Sequence, residues 1–372
     1  MKTPLRVAIL TPTALPGVTG NAVTAERWRR HLSQKGAAVL VIETASADPR
    51  QLVAELDDFH PHLIHAHHVT RAGALILHPD VAKKYSGLPF VVSPAGTDIY
   101  LCGEGGAGRE KVESSCARAR FIVSQNPATT RCLQDLLPGL RERIVHAPKS
   151  FSWLGTEAFD LRTAADCREG DVLFFMPAGV RPVKGNLECL LAMAAAHEAA
   201  PGIRAVFAGP DLDVDYSERF AERITRSQVF ANWIPRIPPE AMRSAYEGAD
   251  VVLNHSVSEG LSNSLLESIA AGRPILASDI PGNRWLARDE EGTGPCGCLF
   301  NPGDRTDFIQ KALRLAGDRK LRESLAAGSR RRAANWPDPA EEAQALIEIY
   351  EAALEGRGRI ERVSAPLSDA PL

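Results

Sequence analysis

The chain has 372 residues, and at a usual domain size of about 150 residues this length favours two domains. Hydrophobic residues make up 44% and charged residues 24%, which excludes a chain dominated by intrinsic disorder. With 43 Lys and Arg against 46 Asp and Glu, the net charge of -3 provides no overall field that would attract nucleic acid or anionic lipid. Any phosphate site must therefore be local.

Short apolar runs alternate with longer amphipathic stretches, as parallel sheets with covering helices require. The first half contains six predicted strands: LRVAILTP, AAVLVIE, HLIHAH, PFVVSP, RFIVSQ and RIVHAP. The second half contains six more: DVLFFMPAG, IRAVFAG, VFANWI, DVVLNHS, PILAS and GCLF. We predict an α/β protein with two similar, doubly wound domains, over residues 1–165 and 166–335. A helix over 336–356 and a flexible tail over 357–372 follow.

No apolar run approaches the roughly 18 residues of a membrane span, and the N-terminus lacks the pattern of a cleaved leader. The seven cysteines include no Cys-x-x-Cys pair, which indicates free thiols in a reducing compartment. We therefore expect a cytoplasmic protein.

The loop after the first strand carries Gly17, Gly20 and Asn21 directly before a helix. Glycine lets backbone N–H groups approach a phosphate, and a helix N-terminus adds free donors and partial positive charge. A plain turn is the alternative. The loop is not Gly-x-Gly-x-x-Gly, although Glu43 stands where a dinucleotide-binding fold places its ribose acid, so an oxidoreductase is not favoured.

Five of the ten histidines lie within nine residues around the third strand. They are His60, His62, His65, His67 and His68. Strand alternation places His65 and His67 on one face, with His68 on the other face or in the loop. One hypothesis is that these histidines bind zinc together with Asp98 at the end of the next strand. In the alternative, the first two are solvated and His67 or His68 is a polar group at a cleft.

Arg181 and Lys184 flank a turn between the seventh strand and a helix. A planar guanidinium and a mobile ammonium can neutralise a diphosphate without a metal, whereas the alternative is a solvated loop. Glu259 and Glu267 lie eight residues apart, where the tenth strand runs into a helix. Carboxylates at the carboxyl edge of a sheet accept hydroxyl hydrogen bonds from ribose and hexose diols.

These motifs resemble the retaining glycosyltransferases of family 4, also called glycosyltransferase group 1. The most specific element is Glu-x7-Glu within SEGLSNSLLESIAAGRPILAS, followed by DIPGN and CGCLFNPGD. Within the family, GNAVTAERW, AGTDIY, GVRPVKGNL and IPGN are similar to glycosyltransferase 1 domain-containing proteins and bacterial selenosugar synthases. The resemblance implies a GT-B fold, in which two Rossmann-like domains face a cleft and a C-terminal helix crosses back.

The resemblance also implies residue roles. Arg181 and Lys184 bind the donor diphosphate, Glu267 the ribose and Glu259 the transferred sugar. Other implied donor contacts are the backbone of Gly260, Leu261, Ser262 and Asn263 at the phosphates, and Ile234 at the base. In the first domain, Gly20 and Asn21 contact the phosphates or acceptor, and His67 or His68, with His68 favoured, lies near the anomeric carbon.

The expected activity is retaining transfer of a hexose or N-acetylhexosamine from a nucleotide diphosphate sugar, a UDP-sugar above others, to an unidentified acceptor. It requires no metal or other cofactor. One alternative is a sugar-nucleotide epimerase or hydrolase on the same scaffold, with a base such as His68. Others are a selenosugar- or thiosugar-forming transferase, a histidine-metal hydrolase, and a nucleotide-sugar binding protein without turnover.

Overall fold

The computed structural model describes residues 4–45, 47–96, 98, 107–288 and 294–360. These residues form two compact units: the chain up to Ser152 together with the chain from Pro337 onward, and Trp153–Trp336. Each unit contains one parallel six-stranded sheet covered by helices, so the predicted α/β class and all twelve predicted strands are confirmed.

The sheet of the first unit has the strand order β2-β1-β3-β4-β5-β6. Its strands are β1 (Arg6–Thr11), β2 (Ala38–Glu43), β3 (Leu63–His67), β4 (Phe90–Ser93), β5 (Phe121–Ser124) and β6 (Ile144–His146). The intervening helices are α1 (Gly20–Gln34), α2 (Pro49–Phe59), α3 (Ala72–Ile76), α4 (Pro79–Lys84), α5 (Ala107–Arg118) and α6 (Pro127–Leu136), followed by a 3-10 helix (Pro138–Arg143). The winding direction reverses between β1 and β3, and doubly wound sheets bind ligands at the carboxyl ends of such a strand pair.

The sheet of the second unit has the order β12-β11-β10-β7-β8-β9, so its winding reverses between β7 and β10. Its strands are β7 (Val172–Pro177), β8 (Ile203–Ala208), β9 (Ala231–Ile234), β10 (Val251–Asn254), β11 (Ile275–Ser278) and β12 (Gly297–Phe300). Its helices are α7 (Leu161–Ala164), α8 (Asn186–Ala199), α9 (Val214–Thr225), α10 (Met242–Gly248), α11 (Asn263–Ala270), α12 (Pro281–Ala287), α13 (Arg305–Gly317) and α14 (Arg319–Ala334), with 3-10 turns at Pro182–Lys184 and Pro239–Ala241.

The central strands are buried on both faces, which is why they read as continuous apolar runs rather than alternating ones. In β7, Phe174 enters one core cluster of the second unit and Phe175 enters the other. Burying roughly 150–250 Å² per aromatic side chain on each face makes this strand the centre of the unit. The loops at its carboxyl end are thereby attached to a rigid support.

The last helix, α15 (Pro339–Leu354), packs in the first unit against α1. Leu346 and Tyr350 are fully buried in a core cluster that includes Trp28 of α1. The helix begins with a capping box, in which Asp338 accepts from the Glu341 backbone and the Glu341 side chain accepts from the Asp338 backbone.

The boundary between the units differs from the expected one at 165/166. The first unit ends at Ser152, because the next residues bury their apolar side chains in the second unit. Trp153 packs on Tyr246 with ring centroids 5.8 Å apart, and Leu161 is buried in the same cluster as Tyr246. A composition shift marks the connection but does not reveal which core it joins.

Residues 361–372 of the predicted tail lie outside the described residues. The six cysteines that the structure describes are free thiols, while Cys102 lies outside the described ranges. None of the described helices is both long enough and apolar enough to cross a bilayer.

Candidate functional site

Two loops meet at the switch point of the second unit. Residues 178–185 follow β7, residues 255–262 follow β10, and Val257 N–H donates to the Val183 carbonyl at 2.9 Å. Gly185 ends the first loop with φ of 62°, and a Cβ there would stand 2.6 Å from both Nδ1 and the carbonyl oxygen of His255. Only glycine accommodates this backbone conformation and this close approach.

The Lys184 ammonium and the Glu259 carboxylate form an ion pair at this junction, with Nζ 2.6 Å from Oε1. The Glu259 Oε1 also accepts from Ser256 Oγ at 2.7 Å and from Asn254 Nδ2 at 3.1 Å. Burial opposes ionisation of Glu259, but the Lys184 charge and these donors hold its pKa below the ordinary glutamate value. Within the described chain no donor reaches Oε2, so this oxygen is available to a ligand.

An amide network behind the ion pair fixes the Glu259 side chain. The Asn254 Oδ1 accepts from Ser256 N at 3.0 Å and from Asn283 Nδ2 at 3.1 Å, which orients Asn254 Nδ2 toward Glu259. Asn283 is itself fully buried and also donates to the Ser278 carbonyl at 3.1 Å. The site therefore draws on β10, β11 and α12 as well as on the two loops.

The second glutamate, Glu267, lies on α11 in a half-buried position. Beside it, the Tyr246 phenol of α10 is fully buried; burial and the Glu267 charge raise the pKa of Tyr246 well above its ordinary value. The phenol therefore stays neutral and adds no second negative charge beside the carboxylate. Ser262 and Leu261 are buried at the start of α11, where Ser262 is the N-cap residue.

The other residues predicted to bind the nucleotide-sugar donor, Arg181 and Ile234, lie at the same edge of the sheet at different distances from β7. Arg181 precedes the Pro182–Lys184 turn, and its backbone N–H donates to Asn186 Oδ1 at 3.3 Å. Ile234 ends β9, with β8 between it and β7, and its carbonyl already accepts from Gly209 N at 3.0 Å. A base that binds at Ile234 would therefore either share this carbonyl with Gly209 N or contact another group of Ile234.

In the first unit, Gly20 and Asn21 are the first residues of α1, which Thr19 caps by accepting from Ala22 N at 3.2 Å. The Glu43 carboxylate accepts from Ala14 N at 2.8 Å and so supports the loop before α1. This hydrogen bond gives Glu43, which stands where a dinucleotide-binding fold places its ribose acid, a structural role in the loop. The loop lies at the switch point between β1 and β3.

His65 is a core residue rather than a ligand. Its Nδ1 lies 2.7 Å from the Tyr350 hydroxyl and its Nε2 lies 2.7 Å from Ser93 Oγ, while its ring stacks on Trp28 at 4.8 Å. Burial lowers the pKa of His65 to about 3. Both ring nitrogens are thus engaged, and the zinc hypothesis loses its first ligand.

His67 and His68 are both buried at the end of β3, at 5% and 4% exposure. His67 points to the same face as His65, as alternation predicts, and its ring meets the Trp28 edge at 5.1 Å. Burial and nearby Lys149 hold the pKa of His67 well below its ordinary value, so the ring is neutral. Its Nδ1 has no hydrogen-bond partner among the described residues.

His68 adopts a left-handed backbone with φ of 86° and lies 3.5 Å, Nδ1 to Oδ2, from Asp98. The Asp98 carboxylate accepts from the backbone of Val69 at 2.8 Å and of Gly96 at 2.9 Å, which ties the loops after β3 and β4 together. Within the ranges that the structure describes, no group of three or more His, Cys, Asp or Glu side chains is placed to bind a metal ion. His60 is exposed, and His62 Nδ1 accepts from Arg6 N at 3.3 Å.

Residues 160–332 match the family described as glycosyl transferases group 1. Over 329 residues, the chain is 26% identical to glycosyltransferase 1 domain-containing protein 1 of Xenopus tropicalis, covering 84% of this chain and 88% of that one. Residues 160–332 therefore carry a group 1 glycosyltransferase domain, and the chain is a transferase enzyme.

Solved structures show the same fold at low sequence identity. Sucrose-phosphate synthase from Thermosynechococcus elongatus matches with a TM-score of 0.77 and 14% identity, over 95% of this chain and 100% of that one. Anabaena HepE in complex with UDP-glucose matches with a TM-score of 0.73 and 16% identity, over 94% and 100%. The fold of this glycosyltransferase is thus GT-B, with two Rossmann-like domains.

Sequence reasoning found Lys184 and Glu259 but missed the residues that hold them. Asn254 ends a buried strand, and Asn283 lies in the DIPGN motif, which points to the family but gives this side chain no role. An Asn at the boundary of an apolar run, such as Asn254, indicates a buried amide. The sequence does not indicate that its partner is Asn283, 29 residues away. Tyr246 carried no such signal, because an aromatic residue in an amphipathic helix is usually core.

Proposed function

We propose that this enzyme transfers a hexose or N-acetylhexosamine from a UDP-sugar to an acceptor, with retention of configuration at the anomeric carbon. The observation that carries the proposal is the Lys184–Glu259 ion pair at the switch point between β7 and β10. The similarity to HepE, solved with UDP-glucose, supports a UDP-sugar as donor. Residues 160–332, which match the family, include both side chains.

The diphosphate leaving group sets the main demand on the site. As the bond between sugar and diphosphate breaks, negative charge grows on the phosphate oxygens. Lys184 and Arg181 supply two cations on one rigid turn, and the start of α11 supplies backbone N–H groups at Ser262 and Asn263. Such preorganised donors stabilise the transition state more than the ground state.

Glu259 performs two tasks in this proposal. Its Oε1 holds Lys184 in place, and its Oε2 accepts a hydroxyl of the transferred sugar. Because its pKa is lowered, Glu259 remains an ionised acceptor at neutral pH. Glu267 takes the ribose hydroxyls, with Tyr246 beside it, and Ile234 and the backbone of Gly260 and Leu261 complete the predicted donor contacts.

Gly20, Asn21, His67 and His68 keep their predicted roles toward phosphate, acceptor and reacting sugar. His68 is the preferred member of the pair, because Asp98 lies against its Nδ1 and can fix its ring orientation. No protein nucleophile is required when the acceptor attacks on the face that the diphosphate leaves.

The test measures UDP release from UDP-glucose and UDP-GlcNAc, with water as the acceptor. Lys184→Ala should lower kcat by about a hundredfold to a thousandfold, as expected when one preorganised donor to a developing anion is lost. Lys311→Ala is the matched control, because Lys311 also pairs with a carboxylate in the second unit, at 2.6 Å from Asp307, but on α13. Equal rates in the two variants would contradict the donor-site assignment.

Proton NMR of the same reaction separates retention of configuration from epimerisation. A retaining enzyme releases the α-anomer of the free sugar first, whereas an epimerase would convert UDP-GlcNAc to a UDP-linked epimer. A thermal-shift series with UDP-, GDP- and ADP-sugars and NAD identifies the base, because a ligand that binds only the native state raises its stability. Stabilisation by NAD alone would overturn the proposal.

A further inference from the structure

The first unit contains a cleft of about 530 Å³ at the amino-terminal edge of its sheet. This edge is opposite to the one that carries His67 and His68. His62 immediately precedes β3 and His68 immediately follows it, so the two edges are about 20 Å apart at 3.3 Å per residue. The cleft is therefore separate from His67, His68 and the other residues at the carboxyl edge of this sheet.

Arginine and histidine side chains stand at matching positions around this cleft. Arg120 directly precedes β5, Arg143 directly precedes β6, and His62 directly precedes β3. Because β3, β4, β5 and β6 are parallel neighbours, the topology brings these three positions to one edge. Arg118, at the end of α5, adds a third guanidinium.

The three arginines are not neutralised by the protein. In the described ranges, no carboxylate lies within ion-pair distance of Arg118, Arg120 or Arg143, and no Asp or Glu lines the cleft. Arg118 is held in place by Nη2, which donates to the carbonyls of Tyr85 at 3.2 Å and Ser86 at 3.3 Å. Arg143 Nη1 donates to the carbonyl of Ala119 at 3.4 Å. Arg118 Nη2 also donates to the Leu88 carbonyl at 3.5 Å, and Arg143 Nη1 also donates to the Ala117 carbonyl at 3.4 Å. Among the described residues, the remaining guanidinium nitrogens of these arginines have no acceptor.

The rest of the lining is largely apolar. It includes Leu88, Phe90 and Leu354, of which Leu354 is 42% exposed. The volume lies within the roughly 300–1,000 Å³ of small-molecule sites, where apolar walls usually combine with a few polar anchors. Three guanidiniums match the charge of a phosphate monoester or diphosphate better than that of a single carboxylate.

We propose that this cleft binds an organic phosphate of up to mononucleotide size, with its phosphate on Arg120, Arg143 and Arg118 and its organic part against Leu88 and Leu354. The phosphate belongs either to a free metabolite or to the head group of a lipid. The cleft shares no residue with the proposed donor site, because it lies at the amino-terminal edge of the first sheet.

The first arm of the test is calorimetric titration with inorganic pyrophosphate. It uses the full chain carrying Arg181→Gln and Lys184→Gln, so that the proposed donor site does not contribute. Adding Arg120→Gln and Arg143→Gln should weaken binding at least about tenfold, as the loss of charge-assisted hydrogen bonds implies. Arg118 is left unchanged because its guanidinium holds the α4–β4 connection.

The matched control replaces Arg50 and Arg131 by Gln instead. Both are exposed in the first unit and lie outside the cleft, so net charge changes equally while the cleft stays intact. The control should bind pyrophosphate as its parent does. An equal loss in both pairs would overturn the proposal, because it would show a general charge effect.

The second arm is sedimentation with vesicles of phosphatidylcholine, with and without phosphatidylglycerol. Binding to the anionic vesicles that depends on Arg120 and Arg143, without pyrophosphate binding, would assign the phosphate to a lipid. Pyrophosphate binding without vesicle binding would assign it to a free metabolite. If neither probe binds in a manner that depends on the two arginines, the proposal is wrong.

Discussion

Replacing Glu342 by Ala should destabilise the first unit strongly, because this carboxylate is 2% exposed and accepts hydrogen bonds from four residues. Arg27 donates from Nε at 3.0 Å and from Nη2 at 3.2 Å, and Trp28 Nε1 donates at 2.7 Å. Gln125 Nε2 donates at 2.6 Å, and Ser150 donates from its backbone N–H at 3.0 Å and from its hydroxyl.

The magnitude follows from what the substitution leaves behind. The Arg27 guanidinium, 3% exposed, would remain buried without its counter-charge, and breaking a buried pair in this way costs about 3–5 kcal/mol. The abandoned donors of Trp28 and Gln125 would each cost about 1–3 kcal/mol if they found no other partner. Because these losses share one site they do not add, and we expect about 4 kcal/mol in the free energy of unfolding.

Amide hydrogen exchange can assign this loss to one unit. Peptides from β1 and β3 of Glu342→Ala should exchange faster, while peptides from β7 and β10 should match wild type. Glu348→Ala is the control, because Glu348 is exposed on the same helix and surface substitutions stay within about 0.5 kcal/mol. If Glu342→Ala were no less stable than Glu348→Ala, the proposed role of the carboxylate would be wrong.

The pH dependence supplies a second readout. Burial opposes ionisation of Glu342, but Arg27 and the other donors hold its pKa below the ordinary value of 4.5. Its stabilisation is therefore present above pH 4.5 and is lost as the pH falls through the lowered value. The difference between wild type and Glu342→Gln should shrink below pH 4.5.

Two further substitutions test the site and the core. A Cβ at Gly282 would stand 2.2 Å from the Glu259 carbonyl oxygen, so Gly282→Ala should lower the free energy of unfolding by about 1–3 kcal/mol and reduce turnover. Gly317 has open space around it, so Gly317→Ala should change neither quantity. Urea unfolding and UDP release measure the two effects. Burial lowers the pKa of His65 from 6.5 to about 3, so the unfolded chain protonates first and stability falls from pH 6.5 toward pH 3. In urea titrations, His65→Gln should flatten the dependence of the free energy of unfolding on pH relative to wild type. Replacing the exposed His60 by Gln should leave that dependence unchanged. An unaltered pH dependence in His65→Gln would contradict the burial argument.

The sequence predicted those features that local pattern controls. Each buried parallel strand is a short apolar run, so the twelve strands and the two doubly wound sheets were predicted correctly from residue type alone. Lys184 was predicted because a cation at a turn before a helix can neutralise a diphosphate, and Glu259 because a carboxylate at the carboxyl edge of a sheet can accept hydrogen bonds from sugar hydroxyls. Their predicted roles in binding the donor remain predictions.

Contacts between distant segments were decided only by the tertiary structure. Lys184 and Glu259 are 75 residues apart, and no local pattern states that their atoms lie 2.6 Å from each other. Strand alternation placed His65 and His67 on one face without showing what covers that face, and packing against Trp28 and Tyr350 made His65 a neutral core residue.

Local pattern also fails to reveal the role of Glu342. Sequence periodicity places this residue on the last helix but does not indicate which side chains it contacts. Its contact with Arg27 joins residues 315 positions apart, across the whole of the second unit in sequence. Secondary structure follows from neighbours along the chain, because hydrophobic periodicity is a local property. Burial of a charge depends on which donors the completed fold brings to it, and that is settled only when the sheets and helices have packed.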